Sequence, residues 1–179
     1  MPREHSSRSN KPRPPLDAAR LEALAIHYVG RYATTKAKLV AYLRRKLRER
    51  GWEGEAAADP DAIGERCAAL GYIDDRAFAS ARASSLARRG YGARRLKASL
   101  REAGVAEPDA ADAHEIAEGA SLAAALALAR RRRIGPFAAQ AATPDQIRRS
   151  IATLVRAGHD FALARRIAQA APEEEIEEA

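Results

Sequence analysis

A basic helix end that recurs at a fixed interval constrains this chain more than any other feature. "LRERGW" at residues 47–52 is answered by "LREAGV" at 100–105. Each ends a stretch with leucines four apart, closed by glycine and an apolar residue. Gly51 and Gly104 stand 53 residues apart, and Gly158, four after Leu154, follows 54 further on. Such an interval signals tandem copies of one small unit, each too thin to bury its apolar face alone. "GHDFALARRI" at 158–167 also resembles "GYGARRLKASL" at 90–100, which implies a different register. The register of the third copy is therefore open, and three helical units in tandem is the simplest organisation.

The side chains set the class of each unit. Hydrophobic residues make up 46%, much of it alanine, and aromatics only 5%. β-branched residues are sparse and never alternate over the length of a strand. Small side chains at helical spacing predict an all-α fold of closely packed helices, repeated in an elongated tandem array.

Capping signals place the helices. The first is predicted from Asp17 to Arg31, with Leu21, Leu24 and Tyr28 on one stripe. The second runs from Thr34 to Arg50 with Leu39, Leu43 and Leu47, and stops at a left-handed Gly51, with Trp52 folding back on it. Asp59 and Pro60 open a third helix with Ile63, Cys67 and Leu70 on one face, closed by Gly71. Asp74 caps a fourth that sends Phe78 and Leu86 to the core. A fifth carries Leu96 and Leu100. One long alanine-rich helix is predicted from Pro108 into Arg130–Arg133. Thr143-Pro144-Asp145-Gln146 is a capping box for the next, and a last helix starts at Asp160. The units are expected at 16–58, 59–106 and 107–171, between a disordered basic tail (1–15) and an acidic tail (172–179).

Charge narrows the function. The net charge is +7 and the pI about 10.0. Five glutamates in "PEEEIEEA" oppose that balance from the end of the chain, so the excess belongs to the folded part. A polyanion, or an acidic protein surface, is the partner such a body fits. The tail is expected to shield the basic face when no partner is bound. The lone Cys67 excludes an internal disulfide, the first fifteen residues carry no apolar leader, and the longest apolar run is too short to span a bilayer. A cytoplasmic monomer is expected.

Catalysis finds little support. Asp74 and Asp75 are adjacent at a helix start, where their carboxylates diverge instead of flanking one bond. His5, His27, His114 and His159 have no metal-ligand spacing, and no glycine loop follows a strand. No enzyme activity, metal or cofactor is expected. The basic helices remain as candidate contacts: Arg44, Arg45, Lys46 and Arg48; Arg88, Arg89, Arg94, Arg95, Lys97 and Arg101 around "GYG"; then Arg148, Arg149, Arg165 and Arg166, with Arg130–Arg133 between. Arginine outnumbers lysine in them, which suits bidentate contact with phosphate or carboxylate.

"LGYIDDRAFASARASSLARRGYGARRLKASLREAGV", Leu70 to Val105, resembles the central repeat of the RecX family of bacterial recombination regulators. Leu70, Gly71, Tyr72, Asp74, Asp75, Phe78, Arg89, Gly90, Tyr91, Gly92 and Leu96 carry the match in order. "HYVGRYATTKAKLVAYLRRKLRERGW" resembles the family's first unit, and the third fits in outline. The resemblance implies a curved protein of tandem three-helix units that binds the RecA filament on single-stranded DNA. It implies suppression of ATPase, strand exchange and co-protease function, without enzyme activity or cofactor. The alternative is a helical DNA-binding protein with no recombinase partner.

Overall fold

The computed structural model describes residues 14–177 and is all-helical apart from one isolated bridge. The helices are α1 (Ala18–Arg31), α2 (Lys36–Arg50), α3 (Pro60–Ala69), α4 (Asp75–Arg88), α5 (Ala93–Ala103), α6 (Glu107–Gly119), α7 (Ser121–Arg132), α8 (Pro144–Arg156) and α9 (Phe161–Gln169). A single 3₁₀ turn, Gly135–Phe137, joins α7 to α8. Among the described residues no helix is long and apolar enough to cross a membrane.

Most starts are closed by side-chain caps readable from the sequence. Asp17 accepts from Arg20 N (2.7 Å), Asp59 from Ala62 N (2.9 Å) and Asp74 from Ala77 N (2.8 Å). Thr143 and Gln146 form both bonds of the capping box. Each satisfies backbone donors that the first turn leaves unpaired.

Three hydrophobic clusters divide the helices into threes. Leu21, Leu39, Leu43, Ile63 and Cys67 join α1, α2 and α3. Ala79, Ala83, Leu86, Leu96, Leu100, Ala110, Ala113 and Ala117 join α4, α5 and α6. Ala125, Leu128, Leu154, Ala164 and Ile167 join α7, α8 and α9. The expected boundaries at 59 and 107 are thus displaced by one helix. The helix α3 needs α2 to cover Ile63 and Cys67, and at Gly64 even a Cβ would press on Val40. The alanine face of α6 belongs against that of α4, where small side chains let the two backbones approach.

Other expectations change for similar reasons. The predicted long helix breaks at Ala120 (φ −95°, ψ 5°), because α6 and α7 serve different cores. Leu70 is 61% exposed. Phe78 is half-buried outside the second cluster, with the Lys38 ammonium 5.3 Å from its ring centroid. Trp52 packs against the first cluster, which holds Leu39 and Leu43 of α2. It pairs with Leu16 in a parallel bridge, and its indole N–H donates to Ala56 O (2.8 Å). Residues 1–13 and 178–179 lie outside the described part, and with them most of the basic tail. Pro14, expected to be disordered, is held: its carbonyl accepts from Arg50 Nε (2.9 Å) and Nη2 (2.7 Å). The acidic tail packs Ile176 on the third cluster, and Glu173 N donates to Pro136 O (2.9 Å). None of its described glutamates forms an ion pair with a basic residue.

The second helices of the units meet end to end. At the first joint Thr35 Oγ1 donates to Ala103 O (2.6 Å), so the start of α2 sits on the end of α5. At the second, Gly92 N donates to Ala157 O (3.0 Å) and Arg94 N to Gly158 O (3.1 Å). The start of α5 therefore sits on the end of α8. At this second joint N–H groups of one helix start take the carbonyls of the other's end, whereas the first joint uses the Thr35 hydroxyl; at both, opposite dipole ends come together. This is why α5 has no side-chain cap. It also resolves the register: α2, α5 and α8 are the equivalent helices, ending at Gly51, Gly104 and Gly158.

Candidate nucleic-acid interface

Asp74 and Asp75 both act on backbone. Asp74 caps its own helix, while Asp75 Oδ1 accepts from Lys36 N (3.0 Å) and so caps α2 of the preceding unit. Burial pushes the Asp75 carboxyl above its ordinary range, and the bond from Lys36 N opposes that shift. Of the pair, Asp75 alone reaches across the first joint.

His159 plays the corresponding part at the second joint. It is 1% exposed, and its Nε2 lies 3.0 Å from Gly90 O. Burial lowers its pKa from the ordinary 6.5, and the Gly90 contact opposes that. The folded state therefore holds the neutral ring, while the unfolded chain takes up a proton near pH 6.5. Stability from this site is present above that pH and is lost as pH falls below it. The urea midpoint should drop between pH 7.5 and 5.5, and His159→Gln should flatten the drop. An unchanged dependence in the variant would assign it to other groups.

The fourteen candidate basic residues differ in whether an acid neutralises them. Arg44 pairs with Asp61 (2.6 Å), Lys46 and Arg45 with Glu49 (2.6 and 3.6 Å), and Arg148 with Asp145. Arg94 lies 3.8 Å from Asp160, and Arg165 donates to Gln169 (3.1 Å). Arg48, Arg88, Lys97, Arg101, Arg149 and Arg166 have no acidic partner among the described residues. Arg94, Lys97 and Arg101 share the outer face of α5, opposite its buried Leu96 and Leu100.

The strongest concentration is at the second joint. A groove of about 830 Å³ is lined by Arg89, Tyr91, Leu128, Arg131, Arg132, Thr153, Arg156 and Ala157. It holds four arginines and no acid. Arg131 Nη2 donates to Arg89 O (2.7 Å) and Arg156 Nε to Ala152 O (3.1 Å), so carbonyls orient two of them without neutralising them. The Arg89 and Arg95 guanidiniums lie 5.4 and 5.9 Å from the Tyr91 ring centroid. A second cleft of about 320 Å³ shares Arg132 and adds Arg133 and Arg149, which extends the basic strip. Guanidiniums beside an aromatic ring in an open groove suit phosphates and stacked bases.

Sequence reasoning reached this groove only in pieces. Arg89 was among the candidates and Arg131–Arg132 lay in a visible run. Arg156, a single arginine in the last turn of α8, carried no signal in the sequence. The groove exists because α4, α7 and α8 converge at the joint.

Residues 74–113 match the family model described as "RecX, second three-helix domain", which starts at the cap of α4. The regulatory protein RecX of Myxococcus xanthus is 35% identical over 163 residues, covering 85% of this chain and 86% of that protein. The regulatory protein RecX of Thermus thermophilus is 44% identical over 112 residues, covering 63% and 72%. The crystal structure of RecX from Lactobacillus salivarius superposes with a TM-score of 0.60 at 16% identity, over 84% of this chain and 94% of that one. A second RecX crystal structure gives 0.56 at 22% identity, over 83% and 73%. The two structures support the three-helix array, and the likeness to the Myxococcus protein over most of both chains shows that this chain belongs to the RecX family of regulatory proteins.

Proposed function

We propose that this chain is a negative regulator of a RecA recombinase, acting in the cytoplasm as a monomer that binds the RecA filament on single-stranded DNA. It restrains ATP hydrolysis, strand exchange and co-protease activity by occupancy, not by chemistry of its own. The observation that carries the reading is the unneutralised arginine groove beside Tyr91 at the second joint, in a member of this family. Phosphate contact supplies salt-sensitive attraction, and the remaining free arginines on α5 and α8 offer bidentate contact to filament carboxylates.

The test is RecA ATP hydrolysis on single-stranded DNA with rising amounts of this protein. Inhibition at well under one copy per RecA is expected. An unchanged rate overturns the proposal. Tighter binding to RecA–DNA filaments than to bare DNA, at two salt concentrations, is the second expected result. Equal, steeply salt-dependent binding to both would favour the plain DNA-binding protein instead.

A further inference from the structure

The first joint carries a different kind of cleft. It encloses about 590 Å³ and is lined by aromatic rings where the second joint has guanidiniums. Tyr32 and Tyr72 are 52% and 55% exposed, although most large apolar side chains of the first unit are buried. Phe78 lines the same space. Cations stand at two of these rings, Arg31 5.9 Å from the Tyr32 centroid and Lys38 5.3 Å from that of Phe78, and Arg82 and Asp74 are also in the lining. Thr34 also lines the cleft. It is only 7% exposed, yet its hydroxyl has no hydrogen-bond partner. A buried hydroxyl left unpaired costs free energy unless a ligand answers it.

We propose that this cleft receives an unstacked base of single-stranded nucleic acid, which rests on the reading that the protein contacts such a strand. The flat faces of Tyr32 and Tyr72 provide stacking area tolerant of base identity. The Thr34 hydroxyl, enclosed in the wall of the cleft without a partner, both donates and accepts, and meets the polar edge of a base once the wall yields to it. Arg31, Lys38 and Arg82 provide the charge that a neighbouring phosphate needs. A pocket for an aliphatic side chain of a protein partner would require neither exposed aromatic faces with a guanidinium at one of them nor an unpartnered hydroxyl in its wall. The arginine groove and this cleft then divide the work, one holding backbone phosphate and the other a base.

The test is fluorescence anisotropy with the full chain and two labelled strands of equal length, oligo-dT and an abasic sugar–phosphate polymer. The wild type should prefer the base-bearing strand roughly 5- to 100-fold, the range expected of base–aromatic stacking. Tyr72→Ala and Tyr32→Ala should each shrink that preference and leave abasic affinity unchanged. Both side chains are more than half exposed, and circular dichroism checks that the variants fold. Equal wild-type affinity for the two strands would overturn the base cleft and leave phosphate binding in place. No binding to either strand would overturn both. Variants that keep the strand preference but lose inhibition of RecA would show that the cleft holds a protein side chain, and would overturn the proposal.

Discussion

Replacing Gly158 by alanine should destabilise the protein by about 3 kcal/mol, from strain at positive φ together with overpacking. The residue has φ +97°, and a Cβ there would lie 2.5 Å from Arg95 N and 2.8 Å from Arg95 Cβ. Neither atom can move without shifting the first turn of α5. Gly92→Ala should be comparably costly, because its Cβ would come 2.5 Å from the Gly158 carbonyl carbon. Gly51→Ala is the control. Its backbone is not the left-handed one expected but lies at φ +81°, ψ 175°, a region open essentially to glycine alone; nothing lies within 4 Å, so conformational strain of about 1–3 kcal/mol is the whole cost. Urea unfolding followed by circular dichroism separates them. In an array held by contacts between neighbours, Gly158→Ala should also split the transition, with the third unit melting first. Equal losses at Gly51 and Gly158 would show that the end-to-end joint contributes nothing beyond backbone strain.

Reversing the groove charges should have the largest effect on binding. Arg89→Glu, Arg132→Glu and Arg156→Glu together should weaken affinity for single-stranded DNA by about 100-fold or more near 0.1 M salt, and flatten the salt dependence. None of the three forms an ion pair within the described residues, so reversal breaks no such contact. Reversal of Arg94, Arg95 and Lys97 should weaken filament binding without unfolding, since all three are exposed on α5. Arg44→Glu should change DNA affinity by less than about threefold, because Asp61 already neutralises that guanidinium. Anisotropy titrations at three salt concentrations measure all of them. If Arg44→Glu matched the groove variant, binding would depend on total charge and not on this groove.

These two results probe different depths of the sequence. The glycines were visible as a repeat, but what each one does was not. Gly104 faces Ala37 and Gly158 faces Arg95, so both are required by a neighbouring unit, whereas Gly51 faces open space and is held by its φ alone. Similarly, Asp74 was legible as a cap because its partner is three residues away. Asp75 was legible only as a charge at a helix start, because the N–H it accepts from belongs to Lys36, 39 residues earlier. Phe78 was misplaced because a helical stripe does not say which of its members a neighbouring unit will cover.

What the sequence determined by itself is local: all-helical character, helix ends, the repeat, the excess of arginine, and the family. Each rests on interactions spanning a few residues or on composition, which a linear pattern records directly. Only the tertiary structure decided which three helices share a core, that α2, α5 and α8 join end to end, and that Arg89, Arg131, Arg132 and Arg156 line one groove. The physical reason is that a single helix can bury its apolar face against either neighbour at similar cost. The choice falls to alanine-sized contacts and glycine clearances between segments far apart in the chain, and those distances are not written in any one stretch of it.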